Sequence, residues 1–187
     1  MRKHFFSIIT IAVVFAGCSK PTESPQAECG IERWHVKNLL DPDASSVLWN
    51  SSSSTIAQQD TFTQISINEY TPRLDFEKQT VSIPCTIVEF KKEDDNDIHL
   101  VLQDAALDSM IGEIPSTDCA EVAGSSHASD FGAAYQWVRE HLGSPSTSFK
   151  SANADVTVTG VLFQDFDHGQ KGHAKNYREI HPVTKIE

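Results

Sequence analysis

Basic side chains are scarce in this 187-residue chain: 15 Lys and Arg stand against 26 Asp and Glu, a formal charge of −11. Nucleic acid is bound mainly by neutralising phosphates with Lys and Arg, so the excess of acid opposes that partner. The adjacent pair Lys91-Lys92 runs directly into EDDND, which makes it a solvated turn rather than a phosphate clamp. Catalytic signatures are missing as well: HExxH, GxSxG and the phosphate-loop and dinucleotide glycine patterns do not occur. No cysteine adjoins a candidate base, so no nucleophile triad can be defended. No internal repeat is visible. The apolar run at 5–16 has twelve residues, too short for the roughly 20 that a membrane-spanning helix needs.

What that run does carry is an export pattern. Arg2 and Lys3 precede it and Phe15-Ala16-Gly17-Cys18 closes it, a basic start, an apolar centre and small residues at the end. The closing segment resembles the lipobox of bacterial lipoproteins. The resemblance implies that 1–17 is a signal peptide, that the Cys18 sulfur is lipidated, and that palmitate-type chains hold the protein to the bilayer without a transmembrane helix. Ser19 in place of Asp after that cysteine implies the outer membrane. The alternative is an ordinary secretory signal with an incidental cysteine. Residues 18–28 then form a tether: SKPTESPQAE has two prolines, two glutamates and nothing large and apolar to bury. Loss of Arg2 and Lys3 moves the charge from −11 to −13.

From Cys29 onward about 160 residues remain, enough for one domain with a real core. Three cysteines lie in it. Cys85, in VSIPCTIVEF, shares a strand face with Val81, Ile83 and Ile87 and reads as a small core residue. Cys29 and Cys119 sit in loop-like contexts, and an oxidising envelope favours a Cys29–Cys119 disulfide. A Cys85–Cys119 bond with Cys29 free is the competing arrangement.

The region 80–187 alternates like sheet. A strand is expected over 80–91, a turn over 93–97 and a second strand over 97–104, with Ile98, Leu100 and Leu102 on one face. A third follows at 109–114, stopped by Pro115. Ser129 is the expected cap of a helix lined by Phe131, Tyr135, Val138 and Leu142 and ended by Gly143 and Pro145. Strands at 156–166 and 179–186 complete a β-β-β-α-β-β order. The fold class is therefore mainly β with one or two helices, an OB-like five-stranded barrel at 80–187 with an N-terminal extension, 29–79, packed on it. In the extension, 32–37 reads as a strand, SSSST at 51–55 as a loop running into a helix cap, 55–59 as a short helix, and FTQISINEY as another strand or an edge segment.

ERWHVKNLLDPDA, EFKKEDDNDIHLVLQD, MIGEIPSTDCA and GVLFQDFDHGQKGHAKNYREIHPV, in that order, resemble a family of exported bacterial proteins with the pattern ERWxVK, EDxDxHLVLxD, MIxEIP, DFxHGQxG and ExHPV. The resemblance covers nearly all of the chain after the tether. The positions that match the pattern are Asp97, His99, Asp104, Glu113, Asp165, His168, Gln170, Glu179 and His181. His173 falls where the pattern has an apolar residue. It brings no activity with it.

The chemistry is concentrated at the C-terminus, where two Asp, one Glu and three His fall between Asp165 and His181. Imidazole and carboxylate suit zinc and similar ions, so Asp165, His168 and His181 are candidate metal ligands and a divalent metal is the cofactor they would hold. His99, His168, Glu179 and His181 are the candidate catalytic groups. The structural alternative is stronger: glycines 169 and 172 permit positive φ in a turn that must join the last two strands. His168 and His181 are expected to be held there by hydrogen bonds, with His99 and His181 half-buried on the outer face or rim of the sheet and His99 far from the other two. In OB-folds that loop borders the ligand face, which makes His168, Gln170, Asn176 and Tyr177 candidate binding contacts. The expected strand order resembles that of staphylococcal-type nucleases, which use carboxylates, a calcium ion and arginines. The mature chain has only Arg33, Arg73, Arg139 and Arg178, so no arginine clamp is expected. Two readings of function follow: an anchored binding or scaffold module for an envelope protein or small ligand, and a metal-dependent hydrolase acting on phosphodiesters.

Overall fold

A computed structural model describes Cys29 and residues 32–187. The proposed signal at 1–17, Cys18 and the whole of the tether to residue 28 lie outside these residues. Among the described residues no helix is long and apolar enough to cross a membrane. In chain order the elements are α1 (Trp34–Lys37), β1 (Leu48–Ser53), α2 (Ile56–Gln59), β2 (Gln79–Lys92), β3 (Ile98–Gln103), β4 (Ser109–Ile114), α3 (Ala120–Ala123), α4 (Ala128–His141), β5 (Lys150–Gln164) and β6 (Arg178–Ile186), with single 3-10 turns at Ala44–Ser46 and Asp75–Lys78.

The strands form one mixed six-stranded sheet in the order β1-β2-β3-β4-β6-β5, and β2 pairs again with β5. Fourteen residues long, β2 serves both neighbours. It runs antiparallel to β5 from Thr80↔Val161 to Phe90↔Lys150, and its second half also pairs with β3, from Thr86↔Gln103 to Lys92↔Ile98. The register shifts between Ile87 and Glu89 on both sides, a bulge that bends the strand as it passes from one partner to the other. The pairings thus return to their starting strand. β4 and β6 are parallel neighbours, with Ile111 opposite Glu179.

Period-2 alternation sends Ile83, Ile87, Phe90, Ile98, Leu100, Leu102, Met110, Ile114 and Val158 into one apolar core, which Val138 of α4 closes. A second, smaller cluster ties the extension down. Trp34, Leu39 and Val47 pack against Cys119, Val122, Phe131 and Val161, and the Cys29–Cys119 disulfide, as expected from the sequence, crosses the same seam. Cys85 is buried and free.

Several local expectations are corrected. Residues 34–37 are helical, not a strand, because the chain enters them through Glu32 and Arg33 at φ 48° and 52°. Non-glycine residues hold that conformation only when tertiary bonds over-determine it. Arg33 supplies them: its five N–H groups reach Thr71 O, Pro72 O, Gln164 O and both Glu77 oxygens, at 2.6–3.0 Å. Glu77 in turn accepts the Leu74 and Gln164 amides. Such a buried pair is satisfied throughout, and removing one partner of this kind costs about 3–5 kcal/mol. The serine run is strand up to Ser53, because β1 pairs through its backbone with β2 (Leu48↔Gln79, Ser53↔Ser82) and needs nothing from its exposed side chains. Thr55 caps α2 with a full capping box. FTQISINEY forms no strand. α4 starts one residue before Ser129, with His127 at its N-cap position, and β5 begins at Lys150 rather than at 156.

Close approach of β5 and β6 depends on Gly160. A Cβ there would lie 2.9 Å from Val183 Cα and closer still to Pro182 O and Ile180 Cγ2. Gly132 on α4 has nothing within 4 Å of its missing Cβ. Urea unfolding is therefore expected to show Gly160→Ala destabilised by at least ~1–3 kcal/mol through overpacking. Gly132→Ala is expected to gain up to about 1 kcal/mol from helix propensity.

Candidate functional site

The face of β3, β4 and β6 turned away from the apolar core is polar and nevertheless buried. His99 lies directly opposite Glu113 in the β3–β4 ladder. The parallel β4–β6 pairing then sets His181 on the other side of the same carboxylate. Lys37, the 93–97 turn and the 165–177 connection cover this face, and His99 and His181 are both 0% exposed. Its burial follows from the extension and the loops rather than from the strands themselves.

Glu113 links the two imidazoles. Its Oε1 lies 3.3 Å from His99 Nδ1 and its Oε2 3.0 Å from His181 Nδ1. His181 Nδ1 is also hydrogen-bonded to Glu179 Oε1 at 3.2 Å, and its Nε2 faces Asp97 Oδ2 at 3.6 Å. Asp97 Oδ1 accepts the Ser116 amide at 2.7 Å. His99 Nδ1 has Glu93 Oε1 at 3.2 Å, and its Nε2 reaches Lys171 O at 2.9 Å. His168 stands apart. Its Nε2 contacts Asp165 Oδ2 at 2.7 Å and its Nδ1 faces Glu32 Oε1 at 3.4 Å, with a third of the side chain exposed.

Electrostatics follow from this packing. Burial by itself would lower the His99 pKa, but Glu113 and Glu93 beside Nδ1 push it up to about 10. His181 is raised well above the ordinary value against its own burial, by Asp97, Glu113 and Glu179. Burial works to raise Glu113, yet the two imidazoles hold it well below the usual carboxylate range. Glu179 goes the other way: burial, then the Asp165 and Glu113 charges, push it up to about 8 despite His181. Asp165 raises His168 to about 9. Lys37, buried among Glu113, Asp97, Asp95 and Glu179, keeps its charge more firmly than a free lysine.

Residues Glu32, Lys37, Glu93, Asp94, Asp95, Glu113, His168 and Gln170 line a cavity of about 190 Å³ over this face. A larger one, about 690 Å³, lies between α4 and the segment after β4, lined by Tyr135, Arg139 and Asp118 among others, and shares no residue with the His and acid cluster.

Three sets of side chains among the described residues could hold a metal: Glu32, Asp165 and His168; Glu93, His99 and Glu113; and Asp97, Glu113 and His181. The expected partnership of His168 with His181, and the expected distance of His99, are overturned. β3 and β6 do not pair, but β4 runs between them and presents one carboxylate to both. The expectation that His99 and His181 are only half-buried fails for the same face, which the extension seals. Asn176 is also corrected. Its amide is buried and donates to Gln59 O and Phe62 O, which makes it a brace for the extension rather than a ligand contact. Tyr177, at φ 56°, stacks on His173 with ring centroids 4.6 Å apart, and Gln170 reaches the cavity. Arg33 and Arg73 are consumed by Glu77 and Asp41, and Arg178 lies over the Phe62 and Phe76 rings. Glu93 and Lys37 lie within the quoted motifs but are not among the site residues singled out from the sequence. Glu113 is, by its position in the motif resemblance, and the short β3–β4 hairpin fixes it opposite His99.

No protein-family model matches the chain, and no curated protein matches it in sequence.

Folded Glu179 holds its proton more tightly than the unfolded chain does, so its contribution to stability is complete below pH 4.5 and is lost as pH rises through about 8. His181, also raised, acts in the same direction from 6.5 upward. Glu113 acts in the opposite sense, losing its contribution as pH falls below 4.5. Thermal unfolding in EDTA is expected to give a Tm that falls as pH is raised through the range 5 to 8. Glu179→Gln is expected to flatten that fall, and an unchanged slope would contradict the assignment.

Proposed function

We propose that the chain is a lipid-anchored binding module of the bacterial cell envelope, an OB-like five-stranded barrel held at the outer membrane by acylated Cys18. The barrel reading is supported by the ring of pairings β2-β3-β4-β6-β5 and back to β2, with α4 between β4 and β5. The export signal and the ordered motifs from ERWHVK to EIHPV support membership in an exported bacterial family. Partners are the bilayer and an envelope protein or small ligand, not nucleic acid. The cavity beside the 165–177 connection, rich in carboxylates with His168 and Gln170 at its wall, suits a ligand with a positively charged group.

The observation that carries binding over a metal-dependent hydrolase is the placement of the two C-terminal imidazoles. His181 is fully buried while His168 points toward Glu32 and Asp165, so the pair does not converge with a carboxylate in one open cleft. Growth with labelled palmitate is expected to mark the protein, and Cys18→Ala to abolish the label; label that persists in the variant would remove the anchor. Purified protein offered phosphodiester, ester and glycan substrates, with divalent metals added, is expected to show no turnover. Turnover that EDTA removes would favour the hydrolase.

A further inference from the structure

His99 has an unusual arrangement of its two ring nitrogens. Lys171 O can only accept a hydrogen bond, so the nitrogen 2.9 Å from it, Nε2, carries the proton. That contact turns Nδ1 toward Glu93 Oε1 at 3.2 Å and Glu113 Oε1 at 3.3 Å. His99 is completely buried, and Nδ1 has no hydrogen-bond partner of acceptable geometry in the protein. The two carboxylate oxygens beside Nδ1 need positive charge there, which a proton supplies in the metal-free protein. A proton on Nδ1 points along one line in the ring plane, and neither oxygen lies on that line. A metal ion about 2.0–2.2 Å from each atom would serve all three at once.

The surroundings are built in the same way. Each candidate ligand has its other polar atom fixed from outside: His99 Nε2 by Lys171 O, Glu93 Oε2 by Lys91 Nζ at 2.7 Å, and Glu113 Oε2 by His181 Nδ1 at 3.0 Å. Metal-ligating side chains are oriented by such partners. Glu93 and Glu113 both line the 190 Å³ cavity, which gives access. Gln170 lines it too, and its Oε1 is buried with no partner in the protein. Lys37 brings a positive charge to the same space, but Asp95, Asp97 and Glu179 face it as well as Glu113. The other two sets are poorer. Asp165 and Glu32 address opposite nitrogens of His168, so one ion cannot take the ring and both acids. Asp97 and His181 are wholly enclosed.

We propose that Glu93, His99 and Glu113 form a binding site for a divalent transition-metal cation of the Zn²⁺ class, with the remaining coordination position open toward Gln170 and the cavity. One imidazole with two carboxylates suits zinc and its neighbours better than calcium or magnesium, which take oxygen ligands. The site does not depend on the anchor or on any catalytic activity.

The test uses the full-length protein in detergent, stripped with EDTA and dialysed, then titrated with Zn²⁺ by calorimetry, with bound metal measured by elemental analysis. One Zn²⁺ per chain is expected. Glu93→Gln should raise Kd at least tenfold and His99→Gln should abolish binding, while His141→Ala, at the exposed end of α4, should leave it unchanged. Glu93 sits in a partly exposed turn, so its variant is the informative one where His99→Gln fails to fold; near-UV circular dichroism of each metal-free variant identifies that case. Failure to bind Zn²⁺ overturns the proposal. So does binding that survives Glu93→Gln or is lost in folded His141→Ala.

Discussion

A single carboxylate, Glu113, holds the polar half of this protein together. It sits on β4, the strand flanked by β3 on one side and β6 on the other, and its two oxygens face an imidazole from each. A buried carboxylate without partners would cost several kcal/mol or give up its charge. Here the two imidazoles keep Glu113 ionised, and Glu113 in turn helps to keep them protonated. Remove it and two buried rings lose their shared counter-charge. The positions of Glu93, Asp97 and Glu179 are explained by what those rings still require.

The burial of His99 and His181 in this cluster is the work of the N-terminal extension together with the loops. Arg33 ties the extension to the end of β5 with every N–H engaged, Arg73 joins the extension's own segments through Asp41 and Val36 O, and Asn176 braces the residues after α2. The apolar seam of Trp34, Leu39, Val47 and Phe131, with the Cys29–Cys119 disulfide, supplies the burial that these polar bonds alone do not. Only then does Lys37 come to lie among the acids. The extension is thus part of the site, since a bare sheet would leave His99 and His181 facing solvent.

The connection between β5 and β6 shows how one segment serves turn and site together. Gly169 and Gly172 hold positive φ, at 73° and 87°, and a Cβ on Gly172 would meet Val101 at 2.6 Å. Its glycines are there for the backbone. Yet by lying close on β3 the same turn puts Lys171 O against His99 and so determines which ring nitrogen faces Glu93 and Glu113. The sequence pattern HGQKG reads as a turn, and the lysine carbonyl that orients the imidazole has no side-chain signature at all.

Strands of β-branched and aromatic residues, the 93–97 turn, the α4 helix between the third and fourth strands of the 80–187 region and the Cys29–Cys119 bond were all legible in the sequence, because each rests on local periodicity, turn chemistry or a short list of cysteines. The helix at 34–37 and the strand made of serines were not, since Arg33 bonding to residues far along the chain and backbone pairing to β2 override local preference. The site divides in the same way. Its residue types, His and acid on the outward parity of β3, β4 and β6, are properties of the sequence. Which imidazole meets which carboxylate, and that the face is buried at all, was decided only when β4 took its place between β3 and β6 and the extension closed over them, because those contacts join residues that no local pattern relates.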